Sequence, residues 1–323
     1  MEEARSSSAE WAWFQRTFEA LAANVERVIQ GKTHEVRLAL AALCAEGHLL
    51  IEDVPGVGKT MLAKAMARSF DCSFRRIQFT PDLLPTDITG VNVFNQERGD
   101  FEFKPGAIFA NIVLGDEINR ASPKTQSALL ESMEERQVTV DAVSYQLGVP
   151  FMVIATQNPI EHEGTYPLPE SQLDRFMIRL AIGYPSAEAE AEILATHGTA
   201  STLEQIEAVA DATAAARMIA VAREVYVADS LRRYIVDIAD ATRRHPDVYL
   251  GASPRAAIML LRASRALAAA DGRDYVAPDD MKALVIPVLG HRMIVSADAA
   301  MSGRGTKTVL HEALDEVPVP VKG

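Results

Sequence analysis

"LLIEDVPGVGKTMLA", residues 49–63, runs from an apolar, strand-like segment through a Pro/Gly turn into Gly-Lys-Thr and a helix-like continuation. A strand, a glycine-rich loop and a helix N-terminus in that order make a phosphate cradle. Loop N–H groups surround an anion, and the helix adds the positive end of its dipole. Lys59 supplies charge, and Thr60 offers a hydroxyl to a divalent cation. Pro55, Gly56, Val57, Gly58, Lys59, Thr60 and Met61 are therefore the expected nucleotide-contacting segment. The full pattern GxxxxGK[ST] asks for a further glycine where this chain has Asp53. Gly56 and Gly58 still let the backbone curl around phosphate, and Pro55 stiffens the turn.

A second segment strengthens this reading. "NIVLGDEINR", residues 111–120, is an apolar strand ending in Asp116-Glu117. That position is the carboxyl edge of a sheet, where α/β proteins bind ligands. Asp116 suits the water shell of a metal ion, which leaves Glu117 to polarise a water for attack on phosphate. A third apolar run, "FMVIATQNP", ends in Asn158, whose amide can hold the attacking water or a phosphate oxygen.

These strands, with "HLLIED" and "FRRIQF", are short, rich in Ile, Val and Leu, and separated by helical stretches. The spacing predicts a parallel sheet covered by helices on both faces. From Tyr184 the sequence changes to Ala-rich helical segments such as "SPRAAIMLLRASRALAAAD", a second and smaller helical domain. The expected division is a disordered tail over residues 1–8, an α/β domain over 9–183 and a helical domain over 184–323. Ser7 and Glu10 form a candidate capping box for a helix running to about Ile29, with Trp11 and Trp13 as core anchors. A second helix spans Thr33 to about Ala45.

With 323 residues, 48% of them hydrophobic and 24% charged, the chain has the material for a large core. A net charge of -12 argues against a protein that coats nucleic acid. Cys44 and Cys72 stand apart without metal-ligand spacing and are expected to be buried, idle thiols. No run of about 18 apolar residues is present, and the first residues are acidic and polar, so a cytoplasmic protein without a membrane span is expected.

The order GxGKT, DE, TQNP, "LPESQLDRF", "GASPRA" resembles the AAA+ ATPases, and among them the MoxR family, over about residues 15–295. The resemblance implies an α/β, AAA+ P-loop domain followed by a smaller all-helical lid domain, with ATP and Mg²⁺ as cofactors. Lys59 and Thr60 match its Walker A positions, Asp116 and Glu117 its Walker B positions, with Thr60 and Asp116 at the metal, and Asn158 its sensor 1. Arg175 matches the arginine finger, expected to reach the γ-phosphate held by a neighbouring subunit. Arg255 matches sensor 2 on the lid. Glu117, Asn158, Arg175 and Arg255 are thus the implied catalytic set. The implied activity is ATP hydrolysis by a homo-oligomer, a hexameric ring by family pattern, that remodels protein clients, in some cases with a partner carrying a von Willebrand factor A domain. A magnesium-chelatase-like motor subunit and a DNA motor or nucleotide-operated scaffold are the alternatives.

Two further stretches resemble family insertions. "VNVF" and "FEFK" flank the turn "NQERGD" as a hairpin within a helical region, similar to the helix-2 insert. "RQVTVDAVSYQLGVPFMV" is similar to the pre-sensor hairpin. Both are candidate client contacts. "DITG", residues 87–90, imitates a GTPase motif, but without NKxD it is assigned to the insert's turn.

Overall fold

The computed structural model describes residues 2–159, 165–197 and 202–320. Two helices open the chain, α1 (Glu2–Glu26) and α2 (Thr33–Cys44). Strand β1 (Leu49–Glu52) then feeds α3 (Lys59–Ser69), and β2 (Phe74–Gln78) leads to the short α4 (Pro85–Thr89). A hairpin of β3 (Gly90–Asn95) and β4 (Asp100–Pro105) precedes β5 (Ile112–Asp116) and α5 (Pro123–Glu135). A second hairpin, β6 (Gln137–Val140) and β7 (Val143–Gln146), is followed by β8 (Met152–Gln157), α6 (Glu170–Leu173) and β9 (Ile178–Leu180).

The main sheet has the order β2-β5-β8-β1-β9, and its neighbouring strands pair in parallel. Leu49, Leu50 and Ile51 are all fully buried, as are Ile112 to Leu114 and Met152 to Ala155. Continuous apolar runs of this kind are what a strand covered on both faces requires. Successive side chains point to opposite faces. Leu49 and Ile51 accordingly join α1, α2 and α3 in one core cluster, while Leu50 joins Leu129 and Leu130 of α5 in another. Pairing of Glu52 with Gln157, and of Gln78 with Asp116, aligns the carboxyl ends of four strands at one edge.

Beyond the sheet lie α7 (Ala187–His197), α8 (Thr202–Gln205), α9 (Ala212–Glu224) and α10 (Asp229–Arg244). Strand β10 (Val248–Leu250) precedes α11 (Pro254–Ala270) and α12 (Pro278–Leu289). Strand β11 (Ile294–Val295), α13 (Ala297–Met301) and α14 (Thr306–Glu316) complete the described chain. Helix α11 is the hub: it packs on α9, α10 and α12 and also on α1 and α2, so one apolar cluster continues from the sheet's helices into the lid. The lid is helical except for the antiparallel β10–β11 pair.

The first hairpin is clamped at its base by two glycines. A Cβ on Gly106 would stand 2.2 Å from the Ile88 carbonyl oxygen, and one on Gly90 (φ 90°) would stand 2.4 Å from that of Lys104. Only glycine lets these backbones meet. Phe103 of β4 stacks on Tyr145 of β7 at 3.9 Å, joining the two hairpins.

Several sequence expectations need correction. Helix α1 starts at Glu2, so helix covers residues 2–8, which the sequence suggested as a disordered tail, and the helix begins before Ser7 rather than at it. Glu2, Glu3, Ala4 and Arg5 are good helix formers, and acidic residues suit a first turn. Trp11 and Trp13 are only partly buried, with the Arg217 guanidinium 4.0 Å over the Trp13 ring, while Phe14 and Phe18 fill the core. Cys44 is buried but Cys72 only half-buried. Asp87 to Thr89 end α4 rather than forming a turn, and no helix follows the first hairpin before β5. Among the described residues no helix is long and apolar enough to cross a membrane.

Candidate functional site

Residues 53–58 connect β1 to α3 at the carboxyl edge of the sheet. Gly56 (φ 85°) and Gly58 (φ 96°) adopt the left-handed region, and Gly58 begins α3 without a side-chain cap. The first-turn amides of a helix have no intrahelical partner, so an end without a capping side chain is suited to an anion. A Cβ at Gly56 would meet nothing within 4 Å, which marks open space beside the loop. That space is a cavity of about 320 Å³ lined by Pro55, Gly56, Gly58, Lys59, Thr60, Met61, Asp116, Glu117, Thr156 and Asn158. Val57 lines a neighbouring hollow of about 190 Å³ with Ile29, Gln30, Ile182, Gly183 and Pro185, and the two spaces share Gly56, Gly58 and Met61. This second hollow has no signature in the sequence, because its walls come from the turn after α1 and the chain leaving β9.

The departure at Asp53 has a structural role. Its carboxylate accepts the backbone N–H of Val54 (2.8 Å) and of Gly183 (2.5 Å), and its carbonyl accepts Lys59 Nζ (2.5 Å). A residue read as a tolerated loss from the glycine pattern instead pins the loop to the start of the lid segment.

The acidic end of β5 is held by neighbouring strands. Thr156 donates its hydroxyl to Asp116 Oδ1 (2.6 Å) and accepts the backbone N–H of Glu117 (2.9 Å). Arg76 of β2 pairs with Asp116 Oδ2 (2.6 Å). Glu117 Oε2 accepts Gln78 Nε2 (2.8 Å) and Arg120 Nη1 (3.0 Å). Glu117 itself sits at φ 57°, ψ 51°, a left-handed conformation that costs a non-glycine residue energy and is found where geometry matters more than local comfort. The loop glycines, Lys59 and the open space between them fit a polyphosphate. The Thr60 hydroxyl and Asp116 carboxylate are hard oxygen donors of the type Mg²⁺ prefers.

Arg175 and Arg255 are not in this cavity. They line a different one of about 350 Å³ with Gly47, His48, Met133, Glu134 and Met177. Gly47 and His48 precede β1 and Met177 precedes β9, so this cavity lies at the amino edge of the sheet, opposite the phosphate loop. Glu134 binds both arginines, Arg175 Nε through Oε2 at 2.9 Å and Arg255 Nη2 through Oε1. Sequence spacing thus brings the loop, Asp116, Glu117 and Asn158 together within one chain and leaves the two arginines together elsewhere. Thr156, Gln78, Arg76 and Asp53 are the site residues sequence reasoning missed. Of these, Thr156 had a signal, since it stands one strand-period before Asn158 in "ATQNP".

Comparison with known proteins agrees with the fold. Residues 48–178 match the ATPase family associated with various cellular activities (AAA), and residues 240–313 match the AAA lid domain. The chain is 50% identical to YeaC of Bacillus subtilis (strain 168), an uncharacterized protein, over 93% of each chain. It is 42% identical to Chaperone MoxR1 of Mycobacterium tuberculosis, covering 94% of this chain and 82% of that one. A crystal structure from Cytophaga hutchinsonii, described as a "putative ATPase", superposes with a TM-score of 0.92 at 36% identity, covering 99% of this chain and 100% of the other. A P-loop cradle on a five-stranded parallel sheet, a helical lid and relatives of this similarity along nearly the whole length place the chain in the MoxR family of AAA+ ATPases.

Proposed function

We propose that this chain binds ATP with Mg²⁺ in the loop cavity, hydrolyses it there, and does so only in an assembly of its own copies. The observation that carries the reading is the placement of Arg175 and Arg255 across the sheet from their own phosphate loop. A guanidinium is permanently charged and fork-shaped, well suited to a phosphoryl group gaining charge, but these two can meet such a group only on another chain. A closed ring, hexameric by family pattern, would give every chain both a cavity and a pair of arginines.

Within the site each side chain has a proposed task. The first-turn amides of α3 and Lys59 hold phosphate oxygens, and Thr60 and Asp116 hold the metal. Mg²⁺, when bound, neutralises charge on the phosphates. Asn158 positions the attacking water, and Glu117 turns from Gln78 and Arg120 to accept its proton. Arg175 and Arg255 of the adjacent chain steady the charge on the transferring group. The M. tuberculosis relative is named a chaperone, which supports use of this cycle to remodel protein clients; the cytoplasm is the proposed place for it. A partner with a von Willebrand factor A domain is one way such a client could be presented.

The test mixes two inactive variants. Lys59→Ala keeps its arginines but loses the loop cation, whereas Arg175→Ala keeps the loop but loses an arginine. Each alone should hydrolyse ATP on the order of 10³-fold more slowly. Together they should regain activity at interfaces that combine the intact halves. Mixed oligomers that stay silent at every ratio would show that Arg175 does not serve a neighbour's site.

A further inference from the structure

Arg175 lies just after α6, and Arg255 is the second residue of α11; no sequence-local feature links them. Asp174 lies between them. Its Oδ1 accepts the Ser253 hydroxyl at 3.2 Å, and Oδ2 is 3.9 Å from Arg255 Nε. Ser253 is the residue that caps α11, accepting the backbone N–H of Ala256 at 3.0 Å. Behind Asp174 is Arg292, whose side chain is 1% exposed, with Nε 3.4 Å from Asp174 Oδ1. Nη2 of Arg292 also donates to the carbonyls of Asp174 (3.3 Å) and Phe176, and His291 Nε2 meets that same Phe176 carbonyl at 2.9 Å. Nε and Nη1 of Arg292 are both buried without a hydrogen-bond partner, and among the described residues the carboxylate paired with this interior cation is that of Asp174, at ion-pair distance.

We infer that Asp174 is a positioning residue: one carboxylate, fixed from behind by buried Arg292, ties the start of α11 to the Arg175 loop and so sets the spacing of Arg175 and Arg255. The inference rests on the proposed service of a neighbouring chain by those arginines. Glu134 bridges the two guanidiniums in this chain, but to converge on one phosphoryl group they must leave it, and their spacing then depends on what holds the elements that carry them. Misplacing a catalytic group by about 1 Å costs about 10²-fold in rate. Burial lowers the Arg292 pKa to about 10, against the opposing charge of Asp174, which leaves the arginine charged at neutral pH.

Asp174→Asn tests this, since the amide keeps the shape and an acceptor for Ser253 but loses the charge facing Arg255 and Arg292. Binding of ATP by titration calorimetry should stay within about twofold of the unmodified chain, while kcat falls about 10²-fold with little change in KM. Mixing with Lys59→Ala should restore activity, because that partner supplies sound arginines; mixing with Arg175→Ala should not. A general folding defect would not give this one-sided repair. Ser253→Ala, which leaves the Asp174–Arg292 pair in place, should show the same pattern with a loss of about tenfold. Unchanged kcat in Asp174→Asn overturns the inference, as does repair by Arg175→Ala or loss of ATP binding in both variants. The Lys59→Ala and Arg175→Ala mixture separates the two failures. If it stays silent, the neighbouring-chain reading falls and takes this inference with it; if it recovers while Asp174→Asn remains fully active, only the positioning role is lost.

Discussion

Thr156 donates its hydroxyl to Asp116 across the β5–β8 pair at 2.6 Å. The same oxygen accepts the Glu117 N–H, so one side chain of β8 fixes both the last residue of β5 and the acidic residue that follows it. Thr156→Val keeps shape and removes both bonds, leaving the part-buried Glu117 N–H without its partner at a cost of about 1 kcal/mol. We expect hydrolysis to fall at least about tenfold while ATP affinity changes little, with Thr156→Ser restoring most of the rate. Full activity in the valine variant would remove Thr156 from the site.

Glu117→Gln should bind ATP and hydrolyse it about 10²- to 10⁴-fold more slowly, because an amide cannot accept the proton of the attacking water. Single-turnover hydrolysis with radiolabelled ATP checks this directly. A rate within a factor of two of the unmodified chain would require a different base.

Glu46 joins the sheet's helices to the lid. It lies just beyond α2, at φ 57°, with a side chain 7% exposed. Its carboxylate takes Arg136, Arg223 (Nε at 2.8 Å) and Arg262 (3.4 Å). Burial alone would raise its pKa, but hydrogen bonds from Arg136 and Arg223 outweigh that and hold it below the usual carboxylate value. Glu46→Gln leaves three cations facing a neutral amide and should cost about 2 kcal/mol in urea unfolding. A loss under about 0.5 kcal/mol would mean that apolar packing of α11 alone docks the lid.

Acid should destabilise the fold through His48. Its Nδ1 accepts the Val153 N–H (3.0 Å) and its Nε2 meets the Met133 carbonyl (3.1 Å), which together define the neutral Nε2–H tautomer. Burial lowers its pKa from 6.5 to about 4. His291 is likewise driven well below 6.5 by burial. Because the folded pKa lies below the unfolded one, the unfolded chain binds more protons between these values. The stabilisation is therefore complete above about pH 6.5 and is lost as pH falls towards 4, on the order of 3 kcal/mol for His48. Unfolding free energies measured from pH 7.5 to 4.5 should fall, and His48→Gln should flatten the slope by about one proton. An unchanged slope in that variant would refute the assignment.

What could be read from the chain alone was whatever is local. Lys59 and Thr60 follow their strand by a few residues, and Asp116 and Glu117 end theirs, so apolar runs with polar ends located the cradle. Thr156, Gln78 and Arg76 act through strand register, which no single run encodes. The meeting of Arg175 and Arg255 on Glu134 joins positions 41 and 121 residues apart, and it needs three separate elements, α5, the segment after α6 and the start of α11, to come together. The tryptophans misled because large size suggested a core place, whereas the stripe of α1 that faces inward carries Phe14, Phe18 and Leu21.

The glycine clamp at the foot of the first hairpin has a mechanical meaning. With no side chain between Gly90, Gly106 and the backbones they touch, there is nothing soft at the base to absorb a tilt. Two six-residue strands reach about 20 Å, and near their far end Phe94 and Phe101 meet edge to face at 5.4 Å, 51% and 70% exposed. The hairpin is rigid at its foot on α4, which packs on α5, and it is braced further along by the Phe103–Tyr145 stack and the Asn92–Asp141 hydrogen bond (2.8 Å) to the second hairpin. Its aromatic tip is therefore held out from the sheet as part of one braced body rather than on a free loop.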